Sequence, residues 1–277
     1  MIPVYVSNGT FVTRYNGRDY RHIARYAPEI EADGVEFLMY CVWKDEIPEL
    51  RRFLLSTRLT FPVMHIDKEI GETLAARGLE GRDEALALLE RDIGTACEIG
   101  AQKLVMHLWN GKYSDTRFDE ALRLYGDMYE RADKRGLLLT VENVTCVRNV
   151  CLEHLEALKN AYPFARFTYD TKMAYLHHEN ELLAEENWRH LLSEGWITHL
   201  HVNDTLPDPA ADRLPIMHIG DGKVDFDSFF RLTHDCGYSG SATVESTSVR
   251  TDGFVDINKL NRSISLVRKG LNGADAR

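Results

Sequence analysis

Eight short apolar runs recur along this chain, and stretches of helical character separate them. The runs are PVYVS (3–7), GVEFLM (34–39), FPVMHI (61–66), KLVMHL (103–108), LLLTVEN (137–143), ARFTYD (165–170), ITHLHV (197–202) and SATVES (241–246). GRDEALALLERDIGTACEIG (81–100) spaces its apolar residues at a helical period, as does FDEALRLYGDMYERADKRG (118–136), where Gly136 suits a helix C-cap. Eight strands alternating with helices predict an α/β fold whose parallel strands close into a (β/α)8 barrel. A doubly wound sheet would bring a glycine-rich phosphate turn after its first strand, and SNGTF (7–11) is not one. No linker or low-complexity tract divides the chain, so a single barrel domain is expected over 1–270, with a frayed tail at 271–277.

The 277 residues suffice for one large core, and the net charge of −10 gains nothing from neutralising phosphates, so nucleic acid is not an expected partner. The N-terminus lacks a signal-peptide pattern, and no run approaches the length of a membrane span. Neither a membrane partner nor export is therefore expected. Five cysteines (Cys41, Cys97, Cys146, Cys151 and Cys236) form no C-x-x-C pair, which reads as reduced thiols in a cytoplasmic protein.

Barrel active sites form at the C-terminal strand ends. Here those ends carry His65, His107, Glu142, Asp170, His201 and Glu245. Strand parity adds that if Glu142, Asp170, His201 and Glu245 point inward, so do Thr140, Thr168, His199 and Thr243. The outward partners are then Val141, Tyr169, Val202 and Val244, as contact with a helix layer requires. Three carboxylates and an imidazole would repel one another without a cation; together they suit one divalent ion such as Mn²⁺, Mg²⁺, Co²⁺, Fe²⁺ or Zn²⁺. His199 lies one two-residue step deeper than His201, roughly 6.6 Å along a strand, and is expected to make an interior hydrogen bond.

The ordered segments GVE (34–36), VMH (105–107), VEN (141–143), YDT (169–171), HVND (201–204), IGDGKVDF (219–226) and VES (244–246) carry a resemblance over nearly the whole chain. It is to the xylose isomerase-like TIM-barrel superfamily of sugar isomerases and epimerases, in particular its tagatose 3-epimerase-like branch. The resemblance implies that Glu142, Asp170, His201 and Glu245 bind one metal. It also implies that Glu142 and Glu245 act as acid and base at a carbon beside a metal-polarised carbonyl. Many relatives carry Asp-x-x-His on the sixth strand; here YDTKMAY puts Met173 at the histidine position.

Lys172 is expected either to act on the substrate, as a cation or proton donor, or to snorkel to solvent. His65 and His107 stand where relatives place substrate contacts or further metal ligands. Trp109, like Tyr40 and Trp43, could stack on a sugar or pack beneath a loop. His218 could face the cavity.

The expected activity is a metal-dependent sugar isomerase or epimerase acting on a small polyhydroxy carbonyl compound in carbohydrate metabolism. The alternatives are a dehydratase or lyase of an inosose- or dehydroshikimate-like substrate, and a non-catalytic sugar- or partner-binding barrel. Relatives are often dimers or tetramers, which leaves a homo-oligomer open. DNA repair of the endonuclease IV kind is disfavoured, because DRLPIMHIGDG (212–222) supplies no Asp-x-His.

Overall fold

The computed structural model describes residues 1–206 and 215–273. Eight parallel strands form a closed barrel: β1 (Val4–Ser7), β2 (Val35–Leu38), β3 (Val63–His65), β4 (Lys103–Met106), β5 (Leu138–Glu142), β6 (Arg166–Asp170), β7 (Ile197–Val202) and β10 (Ser241–Val244). Their hydrogen-bonded order is β1–β10–β7–β6–β5–β4–β3–β2. Helices separate the strands in sequence, so the (β/α)8 expectation holds. Beyond it lies a small antiparallel pair, β8 (Asp204–Thr205) with β9 (Ile216–Met217).

The strands are shorter than the apolar runs. β4 ends at Met106 and β10 at Val244, so His107 and Glu245 each stand one residue past a strand. The segment 212–222, read for an Asp-x-His, lies partly outside the described residues, as do 274–277 of the predicted tail.

The chain divides into two compact units, Met1–Glu36 with Tyr169–Arg277, and Phe37–Thr168. In the second unit, α4 (Arg82–Ile99) buries Ala85, Leu89, Ile93 and Ala96 along one stripe, which is why its 3.6-residue period was legible. Asp83 and Glu84 in its first turn complement the helix dipole. The next helix, α5 (Phe118–Asp133), stops before Gly136, whose φ of +72° is a left-handed conformation that turns the chain into β5. Thr140 Oγ1 donates to Leu104 O and lies 2.7 Å from Thr168 Oγ1, so both threonines occupy the interior layer that parity placed them in.

In the first unit, Val4, Val6, Leu200, Val202, Ala242 and Val244 are buried with Leu260, Ile264 and Val267 of α11 (Ile257–Asn272). Tyr169 stacks on Phe229 of α10 (Phe226–Asp235), 6.0 Å between centroids, so the outward parity of Tyr169 holds as well. The last helix continues through Asn272, whose side chain accepts the Ile2 N–H at 2.6 Å, past the predicted start of the tail at 271. Among the described residues no helix is long and apolar enough to cross a membrane.

Candidate active site

In the second unit, β3, β4 and β5 bring His65, His107 and Glu142 together, all nearly fully buried. Glu142 Oε2 lies 3.1 Å from His65 Nε2 and 2.9 Å from His107 Nε2, and the two imidazole nitrogens are 3.2 Å apart. His65 Nδ1 faces the Ile66 carbonyl at 2.8 Å, which requires the proton on Nδ1. With that proton placed, His65 Nε2 and the Glu142 carboxylate attract each other only across a proton or a cation. A triangle with sides near 3 Å also matches three donors at right angles about a cation, each roughly 2.1 Å away. Burial pushes His107 down to about 4 against the opposing pull of Glu142, so its ring is neutral at pH 7. Its buried Nδ1 has no hydrogen-bond partner among the described residues.

In the first unit, β7 places both histidines of HLHVND on the interior face, where they meet Glu36 of β2. Glu36 is completely buried, and its Oε2 accepts from His199 Nε2 at 3.0 Å, His201 Nε2 at 3.2 Å and the Thr243 hydroxyl at 2.7 Å. His201 Nε2 is also 3.0 Å from Oε1, but only Oε2 has hydrogen-bonding geometry. Burial opposes the charge on Glu36, yet the two histidines outweigh it and hold the carboxyl well below the usual range. His199 also bonds Ser241 Oγ at 2.7 Å, so it makes the interior contacts expected of it.

His201 Nδ1, the ring nitrogen turned away from Glu36, lies 3.7 Å from Glu245 Oε1. A divalent cation placed between them would bond both the imidazole nitrogen and the carboxylate. Asn203 joins the remaining carboxylates: its Nδ2 donates to Asp170 Oδ2 at 2.9 Å and to Glu245 Oε2 at 3.0 Å. Asp170 Oδ1 caps α7 (Thr171–Leu176) through the N–H groups of Lys172 and Met173. Asp170 and Glu245 thus share the Asn203 amide, and Glu245 faces His201; oxygen and nitrogen donors of this kind suit a hard divalent ion.

The other expected site residues lie as follows. Lys172 is buried on the first turn of α7, and its ammonium bonds none of the described residues. Trp109 packs beneath the loop after β5: it is 1 % exposed, donates to Val144 O at 3.3 Å, and meets Phe118 and His154 edge-on. His218 lies between serines, with Nδ1 3.0 Å from Ser263 Oγ and Nε2 3.4 Å from Ser248 Oγ. Glu36, Asn203 and Asp204 carry structure that the sequence reading did not assign. Asp204 gathers the Gly220, Gly222 and Val224 N–H groups and so shapes the turn in IGDGKVDF. A carboxylate inside GVEFLM and the two polar residues closing HVND were the available signals.

Residues 24–269 match the family described as xylose isomerase-like TIM barrel, and the chain belongs to it. Solved structures share the fold. A D-tagatose 3-epimerase-like protein is 17 % identical, with a TM-score of 0.69 over 98 % of this chain and 97 % of its own. The IolI protein, solved with a zinc atom, is 13 % identical, with a TM-score of 0.74 over the whole of both chains. D-allulose 3-epimerase from Methylomonas sp., in complex with D-allulose, is 16 % identical, with a TM-score of 0.70 over 97 % and 96 %. No curated protein matches the sequence.

Proposed function

We propose that this chain is a cytoplasmic, divalent-metal-dependent isomerase or epimerase of a sugar or related polyhydroxy carbonyl compound. The observation that carries the reading is the placement of His201: its Nε2 is held by buried Glu36 while its Nδ1 faces Glu245 across 3.7 Å. Metal-bound histidines are oriented by such a carboxylate on the far nitrogen.

The proposed ligands are Glu142, Asp170, His201 and Glu245, at the ends of strands adjacent in the order β5–β6–β7–β10. When bound, the ion polarises the substrate's carbonyl and hydroxyl oxygens and acidifies the C–H beside them. Glu142 and Glu245 take and return that proton. His65 and His107, already on Glu142 Oε2, hold and relay its proton and contact the substrate's oxygens. Lys172 is a further candidate proton donor, and its burial favours a role over simple snorkelling. The structural relatives that bind D-allulose and D-tagatose support a small ketose as substrate.

Metal-loaded protein offered a panel of ketoses and inositol-type ketones in D₂O tests this. The reading expects deuterium at a carbon beside the carbonyl and a product of unchanged covalent formula. A product lighter by one water would replace it with dehydration. Sugar binding with no exchange in any member of the panel would leave a non-catalytic barrel.

A further inference from the structure

The second unit holds a cluster that the proposed reaction does not use. Asp115, nearly fully buried before α5, accepts the Val147 N–H on Oδ1 at 2.7 Å and the Asn149 N–H on Oδ2 at 3.1 Å. The Arg148 N–H reaches both oxygens at 3.2 Å, so one carboxylate holds the whole turn 147–149. The same carboxylate takes His154 Nε2 at 3.0 Å, on α6 (Cys151–Ala161). The His154 ring is stacked on Phe118, 3.8 Å between centroids, and its nitrogen, the Asp115 carboxylate and the Cys146 sulfur all lie within 4.8 Å of one another. Half-buried Cys146 has its sulfur 3.2 Å from that of buried Cys151, the first residue of α6. Cys151 Sγ in turn lies 2.7 Å from Val144 O. A cavity of about 660 Å³ lined by Asp115, Phe118, Arg148, Asn149 and His154 adjoins the cluster.

This arrangement orders a carboxylate, an imidazole and a thiol in a relay and sets a second thiol in contact with the first. Structural zinc is the competing use of such side chains. Asp115 already accepts four donors, however, and two thiolates on one zinc stand roughly 3.7 Å apart at Zn–S distances of about 2.3 Å. The sulfurs here are closer than that.

We propose that Cys146 is a peroxide-reactive thiol and that Cys151 resolves it as an intramolecular disulfide. The Cys146 thiolate attacks one peroxide oxygen, the O–O bond breaks, and the leaving hydroxide takes a proton from His154. Cys146 sulfur is oxidised to the sulfenic acid as the peroxide is reduced to water. Cys151 then attacks that sulfur, the S–S bond forms, and the hydroxyl leaves with the Cys151 proton as a second water.

The hydrogen bond from Cys151 is the largest influence on Cys146; with His154 it outweighs burial and brings the thiol down to about 7. At pH 7 that raises the thiolate fraction about fiftyfold over an ordinary cysteine and lowers its nucleophilicity about eightfold, a net gain of roughly five- to tenfold.

The test treats reduced protein with stoichiometric hydrogen peroxide, quenches with N-ethylmaleimide and maps peptides by mass. The expected result is a Cys146–Cys151 disulfide, lighter by two hydrogens, forming roughly five to ten times faster than Cys97 oxidises on its exposed helix surface. Cys151→Ser is expected to leave a dimedone-trappable sulfenic acid on Cys146, and His154→Gln to slow its formation by a similar factor. Oxidation of Cys97 as fast as Cys146, or oxidation of Cys146 in wild-type protein without the disulfide, would overturn the proposal. The wild-type arm requires no variant to fold.

Discussion

Glu36 on β2 and His201 on β7 are 165 residues apart in sequence and share a hydrogen bond of 3.2 Å inside a completely buried network. That bond fixes the orientation of the His201 ring. It thereby turns the other nitrogen toward Glu245.

Replacing Glu36 with Gln keeps the volume but removes the charge, and it sets an amide NH2 group where Oε1 stands 3.0 Å from His201 Nε2. Divalent-metal affinity is expected to fall about 10- to 100-fold, as for other partners of metal-bound histidine. Chelator competition measures it, and wild-type affinity would show that Glu36 does not orient the ligand.

Asn203 separates Asp170 from Glu245 by donating to both. Asn203→Asp removes both donors and adds a third carboxylate. Metal-free protein is expected to lose about 2–3 kcal/mol in urea unfolding. Added Mn²⁺ should recover more stability in the variant than in wild type. Equal denaturation midpoints would contradict the bridging role.

Gly222 has no room for a side chain. A Cβ there would meet the Asp204 carboxylate and the Thr205 carbonyl, and neither can retreat without releasing the turn. Gly222→Ala is expected to cost about 1–3 kcal/mol by chemical denaturation. An unchanged midpoint would mean that the turn has slack.

Asp115 and His154 give a pH dependence whose sign follows from their shifts. Burial raises Asp115, but His154 and the turn's N–H groups outweigh it and leave the carboxyl below its ordinary 3.8. Burial lowers His154, but Cys146 and Asp115 outweigh it and leave the imidazole above its ordinary 6.5. The Asp115 contribution is present above 3.8 and lost as pH falls through its lower folded value. The His154 contribution is complete below 6.5 and lost as pH rises through its higher folded value. The stability advantage of wild type over Asp115→Asn should therefore be largest between about pH 4 and 6.5, shrinking on either side. Thermal melts across pH 3–9 measure it, and an advantage independent of pH would contradict the pairing.

The barrel was legible because each strand is a short apolar run and each long helix a clean stripe, as α4 shows with Ala85, Leu89, Ile93 and Ala96. The interior layer was legible too, since alternation along β5, β6 and β7 fixes which of Thr140, Thr168 and His199 points inward. Glu36 escaped because its meaning depends on His199 and His201, 163 and 165 residues away, and no local pattern reports that pairing. Asn203 escaped for a similar reason: its partners are Asp170 and Glu245, on other strands. Trp109 was open to two placements, because a strand-end indole reads alike whether it meets a ligand or a neighbouring loop. Only the packing of Phe118 and His154 decides it.

In the proposed reaction Glu142 both holds the metal and moves the substrate's proton. Glu142→Gln removes the charge while keeping the shape, so metal content and solvent-deuterium exchange into ketose substrates should be measured together in this variant. Metal occupancy is expected to fall, and exchange to drop by at least about 10²-fold, the usual contribution of a general acid or base. Full occupancy with unchanged exchange would contradict it.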